Sequence, residues 1–209
     1  QLYVRGSIGE LWAYAILPLV ALGIIKKDKI LAGIALAFLI LSHNLTIIMV
    51  LPMIIFLMII LVLTEKNKRP LFQSFTVSLL IGFSLSAFFW LPALVEKKYT
   101  AVNQMINEQF NPLLHFVEPL QLWYSPWGYA GSAPQGEIDG MSFQIGKPNL
   151  ILTITAIILI ILFWKSQQKN LKIILSFIVF WLLSIFLILP ISAPIWQMLL
   201  PIMKYLQFP

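Results

Sequence analysis

The sequence predicts an all-α membrane protein: a bundle of about six transmembrane helices, with a long extracytoplasmic loop between the fourth and fifth spans. Of its 209 residues, 60% are apolar and only 11% are charged, whereas a soluble domain has about 45–50% apolar and about 25% charged residues. Long apolar runs alternate with short segments rich in lysine and arginine. A soluble globule of this size could not bury so much apolar surface in one core.

Composition and charge also exclude several classes of function. The net charge is +6 and the pI is near 9.6, but in so apolar a chain basic residues indicate membrane topology rather than nucleic-acid binding. The absence of cysteine excludes disulfide frameworks, thiolate metal sites and cysteine nucleophiles. Because the sequence starts at Gln1 and stops without a polar tail, we expect residues 1–209 to be one transmembrane domain taken from a longer protein.

The apolar runs give the predicted spans, and one of them is too long for a single crossing. As one helix, the 34 residues of Ile30–Leu63 would measure ~51 Å at 1.5 Å per residue, against a hydrocarbon core of ~30 Å. The polar triplet Ser42-His43-Asn44 interrupts this run and predicts two helices joined by a tight turn. The expected spans are Leu11–Ile25, Ile30–Leu41, the rest of that run to Leu63, Leu71–Leu94, Leu150–Trp164 and Ile173–Leu189.

The distribution of basic residues also favours two helices in the run Ile30–Leu63. Three short loops each carry three lysine or arginine residues, and cytoplasmic loops are enriched in such residues. Only the two-helix interpretation places all three loops on the cytoplasmic side. It also places residues 5–10, 42–44 and 95–149 together on the extracytoplasmic face. The basic residues are Lys26, Lys27 and Lys29; Lys66, Lys68 and Arg69; and Lys165, Lys169 and Lys172.

Two charged residues flank the predicted start of the first helix. Arg5 offers a planar guanidinium that suits a phosphate or carboxylate, with Glu10 as the residue that orients it. The alternative for Glu10 is structural, because Ser7 and Glu10 have the spacing of a helix capping box.

His43 and Asn44 are the next candidates, since polar residues inside an apolar run are costly and often functional. A neutral histidine can bind a phosphate oxygen or move a proton. Equally, Ser42, His43 and Asn44 could serve only to satisfy the backbone groups that a helix break leaves free.

The segment 95–149 is too long for a simple connector. Residues 99–110 have apolar side chains at helical spacing and predict a helix on the membrane surface.

Trp123 and Trp127 fit an aromatic belt at the headgroup level, or else a platform for a sugar or prenyl chain. Glu137 and Asp139 lie in a glycine-rich stretch, where a solvated turn competes with a substrate-binding role. No spacing predicts a metal site.

Three short motifs resemble those of a bacterial and archaeal membrane-protein family labelled "6-pyruvoyl-tetrahydropterin synthase-related". They are the segment 3–11, Pro18-Leu19, and the segment 41–46. The synthase reaction itself needs three zinc-binding histidines on a soluble fold, which His43 and His115, the chain's two histidines, cannot supply. The family in turn resembles the GT-C integral-membrane glycosyltransferases.

The resemblance implies a multi-pass protein of the cell membrane that transfers a sugar from a polyprenyl-phosphate donor at the extracytoplasmic face. It implies Arg5 and His43 at the donor phosphate, Glu10 as a catalytic or orienting carboxylate, and the family's acidic loop upstream of Gln1. Asn44, Trp123, Trp127, Glu137 and Asp139 are the expected substrate contacts. No cofactor is assigned. The alternatives are a transporter or lipid flippase with a site in the broken 30–63 region, and a non-catalytic membrane scaffold.

Overall fold

The computed structural model describes residues 7–99, 111–134, 137–163, 165 and 171–203. Within these ranges every regular element is helical and no strand is present, which agrees with the predicted all-α class. The chain divides into two compact units, residues 1–100 and residues 101–209.

The first unit is built around its second helix, α2, which packs against both α1 and α4, while α3 contacts these helices less extensively. The carboxylate of Asp28 starts α2 by accepting hydrogen bonds from the amides of Ile30 and Leu31, at 3.0 and 3.1 Å. The helices are α1 (Ile8–Ile25), α2 (Lys29–Ser42), α3 (Asn44–Thr64), α4 (Lys68–Leu85) and α5 (Ala87–Glu96), followed by a 3₁₀ turn at Lys97–Tyr99.

Small residues let these helices approach closely, as they do in membrane helix pairs generally. A Cβ atom at Gly23 of α1 would lie only 2.5 Å from the backbone nitrogen of Ala32 in α2. A Cβ atom at Gly82 of α4 would lie 2.6 Å from a methyl carbon of Leu36. Glycine at these positions therefore fixes the spacing on both sides of α2.

The predicted break in the long apolar run is confirmed, and it falls at His43, between α2 and α3. At the other ends of these two helices, the ammonium of Lys27 contacts the carboxylate of Glu65. The loop before α2 and the loop after α3 therefore lie side by side. The hydrogen bond and the charge of Lys27 hold the pKa of Glu65 below its ordinary value.

The predicted span Leu71–Leu94 consists of two helices, α4 and α5, bent by 67°. The Ser86 hydroxyl at the bend donates to the Gly82 carbonyl at 2.8 Å, and the Trp90 indole N–H donates to the Phe83 carbonyl at 2.9 Å. The Phe83 and Trp90 rings meet edge to face, with centroids 6.2 Å apart. These side chains satisfy carbonyls near the bend, as a helix break in lipid requires.

The second unit contains an extended segment followed by two long apolar helices. The Val117 amide of this segment donates to the Ile188 carbonyl at 2.9 Å, which joins it to the end of α8. The helices are α6 (Pro119–Trp123), α7 (Lys147–Leu162), α8 (Leu171–Ile188) and α9 (Ala193–Met203), with 3₁₀ turns at Pro112–Leu114 and Pro190–Ser192.

The junction between α8 and α9 also depends on a serine and a tryptophan. The Ser192 hydroxyl and the Trp196 indole N–H each lie 2.8 Å from the Leu187 carbonyl. Ser192 is fully buried and Trp196 nearly so. The end of α8 is thus capped by side chains from the following turn and helix.

The helices fit a lipid environment. Within the described ranges α1, α3 and α8 are long and apolar enough to cross a membrane, and the bent pair α4–α5 makes a fourth if it forms one span. The apolar helices α2 and α7 are shorter, with 14 and 16 residues. No residue of α7 is buried, although most are apolar, as expected for a helix that faces lipid. The predicted total of six spans remains a prediction.

The hydrogen bond at the α4–α5 bend predicts a measurable loss of stability in Trp90→Phe. This change removes the donor to the Phe83 carbonyl and leaves only a 3.4 Å contact from the Ser86 hydroxyl. The Trp90–Phe83 hydrogen bond is part-buried, and loss of such a bond costs about 0.5–1.5 kcal/mol. Thermal unfolding in detergent, followed by far-ultraviolet circular dichroism, should show a lower midpoint.

Trp12→Phe is the matched control, because the Trp12 side chain is exposed. Its midpoint should equal that of the wild type. Equal midpoints for both variants would contradict the role assigned to the Trp90 indole.

Candidate functional site

The candidate site lies at the break between α2 and α3, where His43 forms the N-cap of α3. Its Nδ1 accepts a hydrogen bond from the Thr46 amide at 3.2 Å and lies 2.9 Å from the Thr46 hydroxyl. Because a backbone N–H can only donate, Nδ1 must be unprotonated, and the neutral ring carries its proton on Nε2. His43 therefore presents an N–H donor on its other edge.

The other two members of the polar triplet serve the local backbone. The Ser42 hydroxyl donates to the Phe38 carbonyl at 2.6 Å, and the Asn44 side-chain oxygen accepts from the Leu45 amide at 2.9 Å. Stabilisation of a helix break, the structural alternative considered for this triplet, is therefore seen at all three residues. These hydrogen bonds do not use the Nε2 edge of His43 or the amide nitrogen of Asn44, and both are available for a ligand.

The start of α1 lies against this break. A Cβ atom at Gly9 would lie 2.5 Å from the Ser42 carbonyl oxygen and 3.5 Å from Cδ2 of His43. Only glycine allows the two backbones to come this close. Glu10, the next residue of α1, is half-buried. The structure thus brings the first turn of α1, which carries Glu10, to the imidazole of His43.

The capping box, which is the structural alternative for Glu10, is only partly supported. Ser7 occupies the N-cap position of α1, but its hydroxyl makes no capping hydrogen bond. Two other predictions, the position of Arg5 and the surface helix at residues 99–110, lie outside the described residues, apart from Tyr99.

The remaining predicted site residues lie in the second unit, and they differ in exposure and in hydrogen bonding. The Trp123 and Trp127 side chains are each 61% exposed, and Glu137 is also exposed. Asp139 instead holds its own loop together. Its carboxylate accepts from the Gln121 side chain at 2.6 Å and from the Ala133 amide at 2.9 Å, so Asp139 is a structural residue of this loop.

Sequence reasoning missed a polar cluster around this loop. His115 is nearly buried, and its Nδ1 lies 2.9 Å from the Ser132 hydroxyl. Gln121 bridges two segments, because it binds Asp139 and also accepts from the Glu118 amide at 2.7 Å. These partners lie up to 18 positions apart in the sequence, so no periodicity in the sequence indicated their contact.

The candidate site offers hydrogen-bonding and acid–base groups. Glu10 and His43 supply a carboxylate and an N–H donor in the first unit. Among the residues that the structure describes, no group of three or more histidine, aspartate or glutamate side chains could hold a metal ion. The chemistry that these groups can support is proton transfer and recognition of an anion.

Helical architecture and apolar surface together define the class: a helical membrane protein. Comparison with known protein families, curated proteins and solved structures finds no match to the chain. The residues of the site are therefore the basis on which a function can be inferred.

The Asp139 contacts predict that Asp139→Ala loosens the 131–140 loop. The change removes two hydrogen bonds to a charged group, each worth about 1.5–3 kcal/mol, and local opening should increase at least about tenfold. Hydrogen exchange measured by mass spectrometry should show faster exchange in the peptide that contains Ala133.

Glu137→Ala is the control for this experiment, because the Glu137 side chain is exposed and two residues away from Asp139. Its exchange pattern should match that of the wild type. Unchanged exchange in Asp139→Ala would show that the carboxylate does not hold the loop.

Proposed function

We propose that the chain belongs to a GT-C-like glycosyltransferase of the cell membrane, which uses a polyprenyl-phosphate sugar donor at the extracytoplasmic face. The observation that carries the proposal is the approach of the first turn of α1 to the α2–α3 break. This approach brings the helix turn that carries Glu10 to the imidazole of His43, at one end of a helix cluster whose outer surface is apolar. A lipid-linked substrate needs this combination, with polar groups for its headgroup and an apolar surface for its chain.

In the proposed reaction, an acceptor hydroxyl oxygen attacks the anomeric carbon of the donor sugar. The bond from that carbon to the phosphate oxygen breaks, and polyprenyl phosphate leaves. The Nε2–H of His43 donates to a phosphate oxygen and stabilises the charge that develops on the leaving group. A histidine whose Nδ1 is already an acceptor for Thr46 suits this role better than that of a base.

Glu10 takes the proton of the acceptor hydroxyl in this scheme. We also propose Arg5 and Asn44 as contacts of the headgroup, with the guanidinium as a second phosphate donor. Trp123, Trp127 and Glu137 of the second unit stay predicted substrate contacts, and their side chains are exposed. Asp139 acts by shaping the loop.

The proposed topology has six spans, with residues 95–149 outside. The side-by-side position of the 26–29 and 65–67 loops supports this topology, because it requires α2 and α3 to run in opposite directions. The short helices α2 and α7 would then be two of the six spans.

The topology can be checked by labelling introduced cysteines, since residues 1–209 contain none. Lys26→Cys and Lys66→Cys should both resist a membrane-impermeant maleimide added to intact cells and react after permeabilisation. Tyr129→Cys should react in intact cells. Opposite behaviour of the first two variants would separate the loops and rule out the six-span arrangement.

The catalytic assignment predicts loss of sugar transfer in two variants of the full-length protein. Glu10→Gln should lower kcat by about 10²–10⁴-fold, the range for loss of a general base. His43→Asn should lower it by about 10²–10³-fold, while its side-chain oxygen still caps α3. Transfer from a radiolabelled polyprenyl-phosphate hexose into membrane products is the measurement.

Glu96→Gln, which changes an exposed carboxylate, is the control and should keep wild-type transfer. Wild-type turnover in His43→Asn would remove His43 from the mechanism. A wild-type protein that forms no glycosylated product from this donor would contradict the proposed activity.

A lipid flippase is the second candidate, favoured by the 67° bend between α4 and α5, because discontinuous helices line the substrate sites of many transporters. A fluorescent polyprenyl-phosphate hexose reconstituted into vesicles distinguishes the two activities. A flippase moves the intact lipid between leaflets without forming a glycosylated product.

A further inference from the structure

The end of the first unit opposite His43 carries an excess of positive charge. The loops between α1 and α2 and between α3 and α4, with the first residues of α2 and α4, contain six cationic side chains and two carboxylates between positions 26 and 69. Both carboxylates are engaged, Asp28 in capping α2 and Glu65 in its contact with Lys27. Among the described residues Lys29 has no ion-pair partner and is exposed.

A cavity of about 840 Å³ opens at this end, between the α1–α2 turn and the start of α4. Lys27 and Lys29 lie at its edge, and Gln73 and Ser74 add polar groups. Its volume falls within the ~300–1,000 Å³ that ligand sites usually have. Phe72 and Val77 give it an apolar wall, which a site for a free, fully hydrated anion would not need.

An apolar groove of about 270 Å³ lies beside this cavity, between α3 and α4. The two share Phe72 and Thr76, and the Thr76 hydroxyl is already bonded to the Phe72 carbonyl at 2.9 Å. From Ile55 to Leu63 the α3 wall of the groove extends ~12 Å at 1.5 Å per residue. A cationic cavity and an apolar groove therefore lie next to each other, with Phe72 and Thr76 of α4 bordering both.

We propose that this cavity and groove bind one anionic phospholipid of the surrounding bilayer. Its phosphate lies beside Lys29 and Lys27, and one acyl chain lies in the groove between α3 and α4. Charge complementarity favours an anionic headgroup, since basic pockets between membrane helices recognise such lipids. The site lies at the other end of α2 and α3 from Glu10 and His43, and it does not depend on the proposed transferase activity.

Native mass spectrometry of the full-length protein tests the headgroup half of the site. The protein is released from nanodiscs that contain equal amounts of phosphatidylglycerol and phosphatidylcholine. The wild type should retain one phosphatidylglycerol in preference to phosphatidylcholine. Lys29→Gln should retain it about fivefold more weakly, the change expected for one basic residue at an anionic lipid.

Lys172→Gln is the matched control, because Lys172 is an exposed lysine at the start of α8, in the other unit. It should retain the lipid as the wild type does. Equal losses in the two lysine variants would mean diffuse attraction between the protein and the membrane, and would overturn the site. Equal retention of both lipids by the wild type would overturn it as well.

The acyl-chain half is tested by filling the groove. Ile59 lines the groove and is 48% exposed, so the larger side chain of Ile59→Trp should block the groove. Lipid retention should become roughly tenfold weaker, because the acyl-chain methylenes excluded from the groove no longer contribute to binding. Met49→Trp, at an exposed position of the same helix outside the groove, should have no effect. Displacement of the lipid by an equal concentration of soluble glycerol phosphate would show that the groove contributes nothing, and would reject a phospholipid as the ligand.

Discussion

Three breaks between helices in the described part of this protein, at His43, Ser86 and Ser192, depend on side chains that satisfy the backbone groups the break sets free. Lipid offers no hydrogen bonds, so such groups must find partners within the chain. The first turn of α3 uses the His43 ring nitrogen, and the bend between α4 and α5 uses Ser86 and Trp90. Without these partners an apolar chain would favour continuous helices, and the sites at the breaks could not form.

Two of the breaks use the same pair of residue types at the same spacing. Ser86 precedes Trp90 by four residues, Ser192 precedes Trp196 by four, and alanine follows each serine. In both places the indole N–H reaches back to a carbonyl of the preceding helix. Tryptophan suits this task because it joins a large apolar surface to one donor, so it can fill the space at a bend and satisfy a carbonyl there.

The two ends of the α2–α3 pair differ in chemistry. The His43 end carries neutral polar groups that serve the helix break, whereas the other end is cationic and is held by the Lys27–Glu65 contact. Because the folded pKa of Glu65 is below its ordinary value, this contact stabilises the fold above the unfolded pKa of the carboxyl. That stabilisation is lost as the pH falls through the lower, folded pKa. Since the pair is exposed, salt should weaken it.

The amino-acid sequence by itself determined the helical membrane class and the break near residue 43. Composition, the lengths of the apolar runs and the positions of the charges can be read directly from the sequence. In a bilayer these properties determine where helices form and where they end. The tertiary structure alone decided that Asp139 closes a loop with Gln121, that Trp90 serves a bend within a predicted span, and that Gly9 meets His43. The Gln121–Asp139 and Gly9–His43 contacts join residues far apart in the sequence, and the Trp90 contact depends on the bend. All three depend on packing, which hydropathy does not encode.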